Sequence, residues 1–557
     1  MIRDGHNPDR YTFSTLFKAI GSIRDVKAGK SMHSLANSRG FGSDLFVVTS
    51  ILSMYGKCGD IRQAEDLFST TLCRDHDVVC WNAMLTAYVD NSQGEKALLL
   101  YRQMQEIGMY PPTHQTIVVA LQACGMLVSD HKESSMILEI GEGLHSFARK
   151  NHILSHVFVH TTLVSMYGKC GAIEKAENVF IGQSKHHLSL WNAMISSYVE
   201  QGYGDKALQF FRLMQTKGVI PDQRTYAVTI QACVSFASSR EKSRQISLDV
   251  GQALHIDAHL HGFSSDTFVG TTLISLYGKI GEIAKAEEVF TLLSKAGGDA
   301  SIPWNAMLSV YIDQAQKEKV LTLYKQMEKE EITLDVTSLI CVLQACNEVG
   351  SLNTCYDIHF AIVSMQHDDD VFLRSALIHG YGGSGSMVDA SSVHDGMPNL
   401  DSVSMNACLA GYAGEGNYGE IVRMFAQGYC VGIKPDGITF ASVMSACNHA
   451  GRVSIGIHYF VSMTEDHGIS PDSRHYVCVA DLLGRAGDFK RVEDVVHRMS
   501  CKVDLSMCLF LLGSCRTHGN VELAREMFEH VLSLEPMQAT AYVSMSNIYA
   551  EAQIVSK

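Results

Sequence analysis

None of the sixteen cysteines in this 557-residue chain is spaced C-x-x-C from another, so there is neither a zinc knuckle nor a disulfide framework to read. A reducing interior is the simpler setting for such a chain. No apolar run approaches the roughly 18 residues of a candidate membrane-spanning helix. Positive charge is also in short supply. Lys and Arg number 45 against 59 Asp and Glu, for a formal net charge of −14 and a pI of about 6.0. A generic polyanion binder usually carries the opposite balance. The opening MIRDGHNPD lacks the character of a targeting segment and matches the end of an internal unit, TKGVIPD at 216–222. The chain is therefore expected to begin inside a repeat, with any transit peptide upstream. Tryptophan occurs only three times, and that scarcity exposes the organisation of the whole chain.

Trp81, Trp191 and Trp304 each open the same kind of segment, 110 and 113 residues apart. Residues 191–222 read WNAMISSYVEQGYGDKALQFFRLMQTKGVIPD, and a fourth copy opens with Met405, 101 residues after Trp304. Between these units lies a second element, LFVVTSILSMYGKCGDIRQAEDLF at 45, repeated at 157 and 267 and in degraded form at 371. A third element follows each Trp unit, in VALQACG, VTIQACV, CVLQACN and SVMSACN, with Cys124, Cys233, Cys346 and Cys447 at one equivalent place. The chain is a three-beat array, with beats of roughly 31–36 residues apart from insertions. We refer to the beats as Trp-type, MYGKCG-type and QAC-type.

Each beat reads as two helices. In 191–222 the apolar Trp191, Met194, Ile195 and Tyr198 form a helical stripe, QGYG makes a turn, and Ala207, Leu208, Phe211 and Met214 form a second stripe. GVIPD then stops the helix, because proline cannot continue a helix interior. Small residues recur where two helices must approach, as in KAENVF and KALQFF. A unit this short cannot bury its apolar face alone, whereas stacked neighbours bury a continuous core. The expected fold is an all-α, right-handed superhelical solenoid of helix-turn-helix repeats. At 46% apolar residues the chain can supply such a core. Insertions near 125–141 and 234–251 are expected to lengthen turns between paired helices, and the Gly/Ser-rich YGGSGS at 381–386 to weaken one repeat.

The set WNAMISSYVEQG…ALQFFRLMQ…G…PD, the MYGKCG…A…VF unit and the QAC-type beat together resemble the plant pentatricopeptide repeat proteins. Their order is similar to the P, L, S triplets of the PLS subfamily, over essentially the whole chain. On this likeness residues 1–504 form the repeat array, starting mid-repeat. LSMCLFLLGSCRTHGNVELAREMFEHVLSLEP resembles the family's extension motif, at 505–538, and a truncated second extension motif follows at 539–557.

A solenoid presents one side chain per repeat at a fixed step, which suits a ligand that is itself periodic, such as a single RNA strand. The resemblance places base reading at the fifth residue of each beat and at its last. In the Trp-type beats the fifth residues are Asn82, Asn192, Asn305 and Asn406, and the last residues of three are Asp222, Asp335 and Asp436. The first copy departs, with Pro112–Thr113 where the Asp should stand. An Asn amide offers both donor and acceptor to a base edge, and in the family Asn with Asp resembles a uracil reader. The same asparagines also fit residues that cap or bridge helix starts. The MYGKCG-type beats carry Thr49, Thr161, Thr271 and Ser375 at the fifth place, resembling purine readers, with Asp77 and Asp401 leaning toward guanine. His187 and Ala300 are less usual last residues. The QAC-type fifth residues Ser14, Val118, Ala227, Ile340 and Ala441 are mostly apolar and promise little discrimination. The implied pattern runs G-Y-N-R-U-N-R-U-N-G-U, its firmest element three uracils spaced three nucleotides apart.

Lys57, Lys169, Lys279 and Arg485 recur at the end of the first helix, where each fits a phosphate contact or a cation favoured by the helix dipole. The degraded copy has Gly383 there. Phe46, Phe158, Phe268 and Phe372 hold the second place of the MYGKCG-type beats. They suit a wedge between bases, although a recurrent Phe in a solenoid more often belongs to the core. The recurrent cysteines, including Cys58 and Cys170, fit small buried residues. The PLS subfamily often ends in a deaminase-like domain, whose zinc chemistry needs H-x-E with P-C-x-x-C. This chain has one H-x-E, His131-Lys132-Glu133, and no C-x-x-C. No enzyme activity, cofactor, metal, membrane or DNA partner is therefore expected. The implied function is an address-reader of single-stranded organellar RNA, in mitochondrion or chloroplast, for RNA modification such as C-to-U editing. A deaminase or editing-complex protein would dock at the extension motif. The alternative is a peptide-binding scaffold of the tetratricopeptide kind.

Overall fold

A computed structural model describes residues 8–72, 77–108, 111–128, 134–183, 186–237, 241–295, 301–365, 367, 370–397, 401–498 and 505–552. Among the described residues the regular structure is all helical, 31 α-helices and one short 3-10 turn, Ile153–Ser155. The chain divides into two compact units, Met1–Gly298 and Asp299–Lys557. Unit 1 holds eight helical hairpins, from Arg10–Ile23 with Val26–Ser38 to Thr267–Ile280 with Ile283–Lys295. Unit 2 holds seven, from Ser301–Asp313 with Lys317–Lys329 to Leu505–His518 with Val521–Leu534, and a last helix, Ala539–Glu551. Among the described residues no helix is long and apolar enough to cross a membrane.

Within each unit the first helix of every hairpin packs on the first helix of the next, so the first helices form a continuous inner layer. The second helices pack onto the flanking first helices rather than chiefly onto each other. Trp81, Trp191 and Trp304 are buried on this layer, with the Phe68 ring edge-on to Trp81 at 5.2 Å and Phe180 edge-on to Trp191 at 4.8 Å. The alanines of the expected close approaches, Ala176 and Ala207, are fully buried.

The three beats meet at three chemically different junctions. From a QAC-type to a MYGKCG-type beat, a histidine of the second helix meets a tyrosine of the next first helix. The pairs are His33 with Tyr55 at 2.9 Å, His145 with Tyr167 at 2.9 Å, His255 with Tyr277 at 3.0 Å and His359 with Tyr381 at 2.9 Å. From a MYGKCG-type to a Trp-type beat, a tyrosine donates to a glutamate that also meets a lysine. Tyr88 reaches Glu65 at 3.0 Å and Lys96 reaches it at 2.8 Å; Tyr198 reaches Glu177 at 2.7 Å, with Lys206 at 3.8 Å. The third junction, from Trp-type to QAC-type, carries the candidate reading residues.

A steric match marks the first junction as well. Gly29 stands where an added Cβ would lie 2.6 Å from the Met54 sulfur, and Gly141 likewise faces Met166, Gly251 faces Leu276 and Gly456 faces Leu482. In the degraded triplet the volumes are exchanged. Cys355 takes the glycine's place, and Gly380 takes that of the methionine or leucine, with Cys355 Sγ 3.3 Å from where a Gly380 Cβ would stand.

One expectation is corrected. The insertions do not only lengthen turns. The second helices that follow them, Ser134–Lys150 and Glu241–Leu260, run 17 and 20 residues against 13 for Val26–Ser38, so extra chain has become helix. Residues 129–133 and 238–240 lie outside the described residues. Across YGGSGS, Val371–Gly383 is helical into the stretch, and the second helix resumes at Met387.

Burial holds all four junction histidines below their ordinary pKa, with Arg149 and His160 adding to it at His145, His259 at His255 and Arg374 at His359. Glu142, Glu288 and Asp389 oppose the shift at those three without reversing it. A histidine of the unfolded chain titrates near about pH 6.5. The unfolded chain therefore takes up these protons first, and stability that is complete above that pH falls as pH is lowered. Thermal unfolding followed by circular dichroism should show a midpoint that drops by several degrees between pH 7 and pH 5. His145→Gln with His255→Gln should flatten that slope.

Candidate nucleic-acid interface

The last residue of a beat is the N-cap of the next first helix. Asp44, Asp77, Asp222, Asp266, Asp335, Asp370, Asp401, Asp436 and Asp472 all accept from backbone N–H groups of the first turn. A short side-chain acceptor here satisfies donors that the helix cannot pair itself. The recurrence of aspartate at beat ends thus has a local cause. His187 occupies the same place without a side-chain cap, and Ala300 lies outside the described residues.

At the Trp-type to QAC-type junction the cap does a second job. Asn192 Nδ2 donates to Asp222 Oδ1 at 3.1 Å, Asn305 Nδ2 to Asp335 Oδ2 at 2.7 Å, and Asn406 Nδ2 to both oxygens of Asp436 at 3.0 and 3.1 Å. In the first copy Asn82 Nδ2 donates to Thr113 Oγ1 at 3.3 Å, so the threonine substitutes for the missing aspartate. The asparagine oxygen is held from the other side by the third residue of the next helix. The hydroxyls of Thr116, Thr225 and Thr439 lie within donating distance of Oδ1 of Asn82, Asn192 and Asn406, each at 2.7 Å, and those of Thr225 and Thr439 reach an Asp oxygen as well. Asn82, Asn192 and Asn406 are buried, Asn305 half-buried. The fifth and last residues are therefore brought together in all four copies, and they bridge helix starts as well. Asn82 and Asn192, bonded once at each end, retain one N–H and one oxygen lone pair. Burial pushes the Asp222 carboxyl up, but hydrogen bonds from the Thr225 hydroxyl and backbone, with Asn192, outweigh it and hold the group below its ordinary value.

The MYGKCG-type beats are arranged differently. The hydroxyls of Thr49, Thr161, Thr271 and Ser375 donate back to their own helix, to the carbonyls of Leu45, Val157, Thr267 and Val371 at 2.6, 3.1, 2.7 and 2.8 Å. In that rotamer a hydroxyl meets a ligand as an acceptor. Thr49 also meets Cys80 Sγ at 3.4 Å, again the third residue of the next helix. Asp77 and Asp401 cap their helices and, among the described residues, make no direct bond to Thr49 or Ser375. Thr49 and Asp77 nevertheless share a groove of about 700 Å³ between first helices of unit 1, with Arg10, Lys18, Phe46 and Val79 on its walls.

The recurrent phenylalanines are not core. Phe158 and Phe268 are 72% exposed and Phe372 75%, with Phe46 less so. They stand on the first turn beside the reading positions, and Tyr11, Val79, Ile302, Val403 and Ile438 hold the same second place and are exposed too. A stripe of exposed apolar side chains thus runs beside the row of polar readers within each unit. The helical apolar period did not separate this face from the buried one. The signal that finds it is the second place itself, apolar in most beats where the core is already complete without it.

Lys57 and Lys169 are exposed at the far end of their helices. Eight residues of helix, about 12 Å, separate this row from the readers. Each lysine stem crosses the preceding first helix, its Cδ 3.3 Å from where a Cβ on Gly21 or Gly125 would stand. Lys279 is likewise exposed. Arg485 is paired with Asp481 at 2.9 Å. One beat after Lys57 and Lys169 the same position carries Asp90 and Glu200, and Lys169 is near enough to lower the Glu200 carboxyl against the larger upward push of burial. The row therefore alternates in sign, which the sequence reading missed. Cys124, Cys233, Cys346 and Cys447 are buried, while Cys58 and Cys170 are only partly so. Among the described residues no three His, Cys, Asp or Glu side chains are placed to hold a metal, and His131-Lys132-Glu133 lies outside them.

Family models place this arrangement among known proteins. The PPR repeat model matches residues 46–70, 79–109, 158–181, 271–297 and 302–332, and the PPR repeat family model matches 187–235. Pentatricopeptide repeat-containing protein At5g27110 of Arabidopsis thaliana is 30% identical over 98% of this chain and 76% of its own length. The mitochondrial At4g19191 of the same plant is 30% identical over 99% of this chain and 81% of its own. Among solved structures, the maize pentatricopeptide repeat protein PPR10 in complex with an 18-nt psaJ RNA element matches with a TM-score of 0.57. That match is at 17% identity and covers 99% of this chain and 83% of that one, a likeness of fold.

Asp436→Ala removes a cap and the only partner of Asn406 Nδ2 among the described residues. The expected local cost is about 1–2 kcal/mol, read as faster amide exchange in Gly437–His449. Asp436→Asn keeps a capping oxygen and should cost less.

Proposed function

This chain belongs to the pentatricopeptide repeat family, and we propose that it is a sequence-specific single-stranded RNA-binding protein reading one base per beat. The observation that carries the proposal is the contact between fifth and last residues at all four Trp-type junctions. It supplies, at one step per triplet, an amide whose donor and acceptor capacity is not used up by its neighbours. The exposed apolar stripe beside it suits bases stacked between side chains, and the lysines at the far helix end suit phosphates. PPR10, which shares the fold, was solved with an 18-nt RNA element bound. A peptide groove has no comparable use for a polar pair repeated every third beat.

In finer detail, the proposed readers are Asn82, Asn192, Asn305 and Asn406 with Asp222, Asp335 and Asp436 for pyrimidines, uracil above all. Thr49, Thr161, Thr271 and Ser375 with Asp77 and Asp401 are proposed for purines. The beat order favours the PLS branch, with residues 1–504 as array and an extension motif at 505–538 followed by the start of a second at 539–557. The role that fits is an address-reader for RNA modification such as C-to-U editing, with catalysis supplied by another module or protein. Several relatives are mitochondrial or chloroplastic by name, which supports an organellar RNA as target.

Selection from a randomised single-stranded RNA pool tests the reading. The bound fraction should be enriched in uracils three nucleotides apart, and Asn192→Ser should shift one of those positions toward a purine. A folded chain that binds no RNA at any salt concentration would sink the proposal. Phosphate contact has a separate signature. Lys57→Ala with Lys169→Ala should reduce the slope of log affinity against log salt by about 1.4, or 0.7 per phosphate lost, without altering base preference.

A further inference from the structure

We infer that the third residue of the helix after each Trp-type beat is a positioning residue for base reading, and that Ser338 makes Asn305 a more permissive reader than Asn192 or Asn406. The inference rests on the RNA-reading function proposed above.

Thr116, Thr225, Ser338 and Thr439 are each 0% exposed at the same place, one turn into the helix that the beat's last residue caps. Each hydroxyl accepts the backbone N–H of the capping residue, at 3.0, 3.2, 2.9 and 3.1 Å. A hydroxyl has a single proton to donate. The three threonines lie 2.7 Å from an asparagine Oδ1, although Thr225 and Thr439 also have an Asp oxygen in reach, at 2.7 and 3.0 Å. Ser338 instead donates to the Asp335 carbonyl at 2.8 Å. Asn305 Oδ1 is left buried and, among the described residues, without a hydrogen-bond partner. The β-methyl of threonine restricts χ1, whereas serine turns more freely.

The difference bears on reading because an amide rotated by 180° exchanges donor and acceptor. In Asn192 and Asn406 both ends are engaged. A hydroxyl faces the oxygen and a carboxylate faces the NH2, so a flip turns the oxygen against the carboxylate and gives up the bond donated by the hydroxyl. Asn305 is held at the nitrogen end alone, by Asp335. Uracil and cytosine differ in just this exchange, one offering an acceptor where the other offers an amino donor. A fully held amide selects one of them, and a half-held amide tolerates both.

The test measures equilibrium affinity of the full chain for RNAs that differ only by uracil or cytosine opposite Asn305 or opposite Asn192. The wild type should prefer uracil less strongly opposite Asn305. Ser338→Thr should raise that preference roughly three- to tenfold, the span of one net hydrogen bond, with no change opposite Asn192. Thr225→Ser, a conservative loss of one methyl, should lower the preference opposite Asn192 alone. Uracil preference opposite Asn192 in the wild type, with ratios unmoved by either variant, would overturn the positioning role and leave RNA reading standing. Absence of any preference opposite Asn192 would overturn both. Melting temperature, measured in parallel, separates a change in stability from a change in selectivity.

Discussion

The side chain that ends one beat and caps the next helix, bonded at every Trp-type junction to the beat's fifth residue, is the constraint on which the rest of this architecture leans. Short helices have few internal bonds relative to their unpaired ends, and every first helix here is only 13 to 15 residues long. Most of them begin on a side-chain cap, which satisfies donors the helix cannot pair itself. By supplying the cap from the last residue of the preceding beat, the chain ties the start of one helix to the flank of another. Where Asn192 donates to Asp222, one contact helps to set helix start, hairpin spacing and the orientation of a buried amide. A substitution at such a residue cannot be assigned to stability or to recognition without measuring both.

The three-beat period is a periodicity of junctions rather than of hairpins. His with Tyr, Glu with Tyr and Lys, and Asn with Asp and Thr each occupy one class of boundary. All hairpins share one backbone plan, so it is these polar sets and the Gly-to-Met fit that distinguish one interface from another. They also differ in their response to conditions. The imidazole junction is sensitive to acid, the carboxylate and lysine junction to salt, and the amide junction to neither to the same degree.

Much of this was legible in the sequence because it is periodic. Helix pairs and buried Trp and Cys rows follow from residues that recur at a fixed step, and the pairing of Asn192 with Asp222 was implied by the family resemblance. What was not legible is of two kinds. The exposure of Phe158 and Phe268 escaped because an apolar residue on a helix start satisfies the core pattern equally well, and only packing shows that the core is complete without it. The partner of Asn406 Oδ1 escaped because Thr439 lies 33 residues on, where an ordinary hydroxyl carries no sequence signal of its own. The lengthened helices after the insertions were likewise hidden, since polar residues such as EKSRQ suit a loop and an exposed helix equally.

The exchange of bulk between Gly380 and Cys355 limits how such an array can be rearranged. A hairpin carrying Cys355 cannot be followed by one carrying Met54 without two side chains competing for the same volume, and the reverse pairing leaves a void. Recombination, natural or engineered, therefore has preferred breakpoints. Cuts that keep each facing pair on the same fragment yield interchangeable parts, whereas a cut between the two partners does not. Exchange of hairpins is restricted by this steric fit between a second helix and the next first helix, apart from the row of Asn–Asp pairs.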